Sequence, residues 1–124
     1  MEPLTAVEKM RYHKGVWMHR PLWQVHRLCG DRWFGFDSVQ LLSDRLFEIL
    51  LVPLHGHTRG HCGVAVATTE GWILHCGDAY FYHDEMRPKR PHGTPVLDAL
   101  QSVLNVSRAD RLYNQRRLRE LKKD

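Results

Sequence analysis

Residues 62–78 read CGVAVATTEGWILHCGD, and the fold hinges on this stretch. Small and β-branched residues fill 62–69, a T-E-G break follows at 69–71, and WILHCGD runs from 72 to 78. Two short β-rich runs around a glycine-containing break predict an antiparallel hairpin. Pairing about that break returns the end of the second strand to the start of the first. Asp78 therefore lands beside whatever precedes Cys62, and that is HGHTRGHC, residues 55–62.

Just upstream, LFEILLVPL (46–54) is aliphatic and contains a proline, which suits a buried strand feeding a loop at Pro53. Gly56 and Gly60 flank His57, Thr58 and Arg59, so the octet is not a helix with histidines at i and i+4. Glycines let the chain turn sharply where the strand ends. Such a loop is a metal site, a base with its support, or a polar turn. Taken alone, one histidine there is more often a hydrogen-bonded structural residue than a ligand. The hairpin adds a carboxylate, because Asp78 returns to the loop that holds His57 and His61. Imidazole and carboxylate at one sheet edge suit a first-row metal, with zinc the default. Arg59 reads either as a contact for an anionic substrate or as a solvated side chain.

Farther out, residues 1–22 are mixed and interrupted by Pro3 and Pro21, so they are expected to be irregular. WQVHRL (23–28) alternates apolar and polar residues as a half-buried strand does. CGDRWFGF (29–36) reads as a turn into another extended piece. HDEMRPKRPHGTP (83–95) is a proline-rich polar loop. Apolar residues at 96, 97, 100, 103 and 104 predict a helix over 96–106. Ser107 caps a final helix over 108–122, with Asp110 at its amino end and a partial stripe of Leu112, Leu118 and Leu121.

A chain of 124 residues suits one domain, and 43% hydrophobic with 26% charged residues is ordinary globular composition. The longest apolar run, 49–54, contains a proline and falls far short of the roughly 20 residues a membrane span needs. The start, MEPLTAVEKMRYHKG, has no charged-then-apolar signal pattern, so the cytoplasm is the expected location. Cys29, Cys62 and Cys76 form no C-x-x-C, which argues for reduced thiols over a disulfide framework or zinc ribbon. The net charge of +4 is concentrated at Arg108, Arg111, Arg116, Arg117, Arg119, Lys122 and Lys123. No aromatic residues interleave as a single-strand nucleic-acid platform requires, so a solvated helix face is the favoured reading.

LLVPLHGHTRGHCGVAV followed by GWILHCGDAYF resembles the second half of the metallo-β-lactamase superfamily. There a P-G-H-T-x-G-H-type turn ends one strand and a G-D-[TA] turn closes the next hairpin. The resemblance is strongest over 46–82, and RYHKGVW and NQRRLREL are compatible with a hydrolase-like subgroup. It implies one incomplete domain over 1–124 of mixed α/β class. This would be a partial αβ/βα sandwich, mostly antiparallel strands followed by two carboxy-terminal helices.

The resemblance further implies that His57 binds metal, that Asp78 bridges two metal ions, and that His61 supports the loop, with Thr58 beside it. His55, where the family more often has proline, and Tyr80 are packing or rim residues. The implied activity is zinc-dependent hydrolysis, a metal-activated water attacking an ester, amide or thioester of an unidentified small molecule. The family's H-x-H-x-D-H signature and its last metal-binding histidine are missing from the sequence. The chain is therefore expected to be inactive alone, its other ligands coming from an upstream segment or another copy. The alternative expectation is a non-catalytic remnant serving as a protein-interaction or self-association module, because half a sandwich leaves a sheet face uncovered.

Overall fold

The computed structural model describes residues 3–27, 32–43 and 48–122. Cys29 and the start of the strand expected over 46–54 lie outside them. The centre is a four-stranded antiparallel meander of β3 (Val39–Ser43), β4 (Glu48–Pro53), β5 (Cys62–Thr68) and β6 (Gly71–His75), in that order. Val64 pairs with His75 and Thr68 with Gly71, so the expected hairpin closes through residues 69–70. Gly71 has a φ of +124°, a conformation that side chains resist. The second strand stops at His75, and Gly77–Ala79 forms a single 3₁₀ turn in place of the last strand residues expected.

The period of two sorts the sheet into faces. Leu50, Val52 and Ala65 are buried, and Trp72 and Leu74 pack against them from the same side. That face is closed by a small hairpin, β1 (Arg32–Trp33) with β2 (Phe36–Asp37), and by Leu118 of α3 (Arg108–Leu121). Trp33 meets Trp72 edge-to-face at 5.5 Å. Phe34 and Gly35 have φ of +45° and +79°, as a two-residue turn matched to strand twist requires. The opposite face carries Ile49, Leu51, Val64, Val66 and Ile73, and Ile73 is 62% exposed.

The fold is mixed α/β and ends in two helices, α2 (Pro95–Leu104) and α3, close to the expected spans. Thr94 and Ser107 cap them, accepting hydrogen bonds from the amides of Leu97 and Asp110. Their buried faces differ from the apolar stripes expected. Gln101 is the buried residue of α2, whereas Val96, Leu100 and Val103 are exposed. α3 buries Arg111, Asn114, Gln115 and Leu118, and Leu112 faces out. The spacing is that of a core-facing helix, but the residues are mainly polar.

The reason lies in residues 82–86, where Glu85 is buried. Its Oε1 accepts hydrogen bonds from the amides of Phe81 and Tyr82 and from Gln101 Nε2, and its Oε2 accepts one from Gln115 Nε2. Arg119 donates to the Glu85 carbonyl at 3.0 Å. A buried carboxylate must be saturated with donors, and both helices turn polar residues inward to supply them.

The amino-terminal expectations need two corrections. Residues 23–27 form no strand, having no ladder partner among the described residues, and Trp23 and Val25 are 68% and 83% exposed; Leu28, the end of the expected strand, lies outside the described residues. Residues 1–22 are not wholly irregular: α1 (Ala6–Arg11) is followed by a 3₁₀ turn at Lys14–Trp17. Thr5 and Glu8 start α1 with a reciprocal capping box.

Candidate metal centre

The loop leaving β4 is closed at its neck, where the Leu54 amide donates to the His61 carbonyl at 2.9 Å. Inside it, the Thr58 carbonyl accepts the Gly56 and His61 amides at 3.2 and 3.5 Å. The His61 ring then ties this loop to the next turn. Its Nε2 lies 2.9 Å from the Asp78 amide, and its Nδ1 lies 2.8 Å from the Leu54 carbonyl. An amide only donates and a carbonyl only accepts, so Nε2 is the acceptor and Nδ1 carries the hydrogen. Gly77 makes the approach feasible: at a φ of +54°, a Cβ there would sit 2.7 Å from His61 Nε2.

This bracing sets His57 against Asp78, with Nε2 3.6 Å from Oδ2. The His57 side chain is only 11% exposed, whereas that of Asp78 is 64% exposed. Burial first, then the charge of Arg11, lowers the His57 pKa below its ordinary value, against the opposing pull of Asp78. The imidazole is therefore neutral at pH 7, the form that binds metal. Phe81 covers it at a ring distance of 5.8 Å. His57 Nδ1 is buried without a hydrogen-bond partner among the described residues.

Helix α1 docks on the same loop. Arg11 donates to the His57 carbonyl at 2.9 Å. Arg59 grips the buried Glu8 through Nε–Oε1 at 2.6 Å and Nη2–Oε2 at 3.1 Å, and donates to the Pro3 carbonyl. Arg59 is thus held by Glu8 at one edge while its side chain stays partly exposed.

The Arg59 hydrogen bond, then that of the Thr5 amide, lowers Glu8 from 4.5 to about 2. A depressed carboxylate stabilises the fold fully above its unfolded pKa and loses that contribution as pH falls through the folded one. Docking of α1 should therefore weaken between about pH 4.5 and 2. Amide exchange at residues 6–11 is expected to show this acid limb in the wild type and to flatten it in Glu8→Gln. Identical limbs would contradict it.

The remaining candidates sit apart from this contact. His55 is exposed, and among the described residues only its backbone is hydrogen-bonded, its carbonyl accepting from Asn114 Nδ2 at 2.8 Å. Tyr80 packs half-buried against the core. Cys62 and Cys76 are free thiols whose pKa burial raises, Cys76 to about 11. Among the described residues, no group of three or more His, Cys, Asp or Glu side chains is placed to hold a metal ion. His57 and Asp78 bring two donors.

Arg11, Glu8 and Phe81 escaped the sequence reading. The T-x-x-E pattern at 5–8 signals a helix start, but nothing local says where that helix docks.

Comparison with known proteins finds two relatives. Probable metallo-hydrolases of Mycobacterium tuberculosis and Mycobacterium bovis are each 40% identical to this chain over 114 residues. The matched region is 92% of this chain and 36% of each relative, so the chain spans about a third of their length. No protein-family model matches the chain, and no solved structure does. Among the described residues, no helix is long and apolar enough to cross a membrane. By sequence, then, the chain is a homologue of proteins named probable metallo-hydrolase, aligned with about a third of each.

Proposed function

We propose that this chain carries half of a metallo-hydrolase centre, with His57 and Asp78 as metal ligands and zinc as the metal. The observation behind the reading is the approach of His57 Nε2 to Asp78 Oδ2 at 3.6 Å, braced by His61. The name shared by the relatives supports it. Two donors do not make a catalytic zinc site, which takes three protein ligands and an open position. The described residues therefore do not fit a complete centre, and the chain alone is inactive. The missing donors come from outside the described residues or from another copy. The substrate class is a small molecule with an ester, amide or thioester bond, and the setting is the reducing cytoplasm, in keeping with two free thiols.

What this chain contributes is a neutral, shielded imidazole and an accessible carboxylate at a fixed separation. Zinc titration followed by imidazole NMR is expected to perturb His57, with weak, saturable binding. Binding should be lost in His57→Ala and Asp78→Asn and kept in His55→Ala. Equal binding by all four proteins, or none at millimolar zinc, would overturn the assignment.

A second reading, self-association or docking to another protein, is favoured by exposed apolar side chains. Leu22 is fully exposed, and Val25, Met18 and Val96 are 83%, 79% and 77% exposed. Apolar surface gathered into one patch is commonly covered by a partner. A mass by light scattering that stays monomeric at every concentration would remove self-association.

A further inference from the structure

We propose that the cleft between α2, α3 and the 91–93 loop is a second binding site, one for a phosphate group. The cleft encloses about 450 Å³, and its walls include Arg108, Arg111 and Arg119 on one side with His92 and Asp98 opposite. Positions 108, 111, 115 and 119 fall on one stripe of α3, so the three guanidinium groups share a face. Neither His57 nor Asp78 belongs to this cleft, and the proposal does not depend on the metal reading.

Arg111 is the anchor. It is 6% exposed, its Nη1 donates to Gln101 Oε1, and the same atom lies 3.9 Å from Glu85 Oε2. Its Nε is buried with no acceptor among the described residues, and none is found there for Nη2. The Nε–Nη2 edge is one a guanidinium offers in bidentate fashion to an oxyanion. Three residues earlier, Arg108 lines the same cleft and has no hydrogen bond or ion pair among the described residues. Burial pushes the Arg111 guanidinium below its ordinary pKa; the charge of Glu85 opposes this, Arg108 adds to it and Asp98 opposes it in turn.

Glu85 faces Arg111 through Nη1 and leaves the Nε–Nη2 edge unmatched. Both Glu85 oxygens are already occupied by backbone and amide donors. Asp98 stands across the cleft against Gly93, where even a methyl group would come within 2.3 Å of its Oδ1. A tetrahedral phosphate can take the free edge of Arg111 on one pair of oxygens and Arg108 on a third. A carboxylate brings one charge and two oxygens, where a phosphate brings more charge and a third oxygen for the second guanidinium.

The test is titration of the full chain with inorganic phosphate at constant ionic strength, followed by amide and arginine side-chain NMR. Saturable shifts are expected at Gly93, Arg108 and Arg111. Arg108 is exposed, so Arg108→Gln should keep the fold while weakening binding by about tenfold, near the contribution of one charge-assisted hydrogen bond. Asp98→Asn removes a repelling charge and should tighten binding. Phenyl phosphate binding more tightly than free phosphate would identify an organic phosphate ester as the ligand, and equal affinity would identify the free ion. Unchanged affinity in Arg108→Gln would overturn the site. So would shifts spread equally over Arg116 and Arg117.

Discussion

Alanine at position 56 is expected to cost on the order of 3–5 kcal/mol of stability, at the upper end for a single substitution. Gly56 has a φ of +136°, and a Cβ built there would lie 2.5 Å from the Arg111 amide nitrogen and 2.7 Å from its Cα. These atoms belong to the backbone of α3, so no side-chain rotation relieves the clash. The loop and the helix would have to separate. Separation would also strain the two hydrogen bonds that the Gly56 carbonyl accepts from the amides of Val106 and Ser107, at 2.9 and 3.0 Å. Those bonds seat the start of α3 beside the loop that carries His57. Gly60 is the control, since a Cβ there meets nothing within 4 Å. Denaturant unfolding should show a large loss for Gly56→Ala and little change for Gly60→Ala. Similar midpoints for the two variants would mean that the loop does not pack on α3 as described.

Glu85→Ala is expected to destabilise the protein by about 3–5 kcal/mol, because removing one partner strands several buried donors at once. The Phe81 and Tyr82 amides, Gln101 and Gln115 would lose their acceptor, and the buried Arg111 would lose its nearest carboxylate. Glu85→Gln should fall between wild type and alanine, since one oxygen is retained while the new NH₂ faces a donor. Unfolding in urea gives the ranking, and an alanine variant as stable as wild type would show the network to be dispensable. The consequence extends to the site. Gln115 also holds the Ala79 carbonyl at 2.9 Å, one residue beyond Asp78. Loosening this network should therefore blur the Asp78 turn.

Where side-chain periodicity met a simple boundary, the sequence was a good guide. The β5–β6 hairpin, the loop of glycines and histidines and the two capped helices are all local features, encoded by β-rich runs, turn residues and cap residues. The return of Asp78 to the histidine loop also followed from the hairpin. The WQVHRL alternation misled because period two shows only that a segment suits a strand, and residues 23–27 have no neighbouring strand to pair with among the described residues. The short β3 strand, in contrast, is stabilised by pairing with β4 and carries little pattern of its own.

The helix faces show the limit most clearly. The apolar residues of 96–104 have helical spacing, yet α2 turns Gln101 inward, and α3 buries Arg111, Asn114 and Gln115. No count of apolar residues predicts this, because the deciding group is a carboxylate from another segment. By itself, the sequence determined the local elements and the meeting of His57, His61 and Asp78, since those depend on short-range turns and one hairpin register. Only the tertiary structure decided that Arg59 is bound to Glu8, that α1 braces the His57 loop, and that Glu85 organises both final helices. Those contacts join residues far apart in the chain, and the desolvation that makes them decisive exists only once the chain has folded.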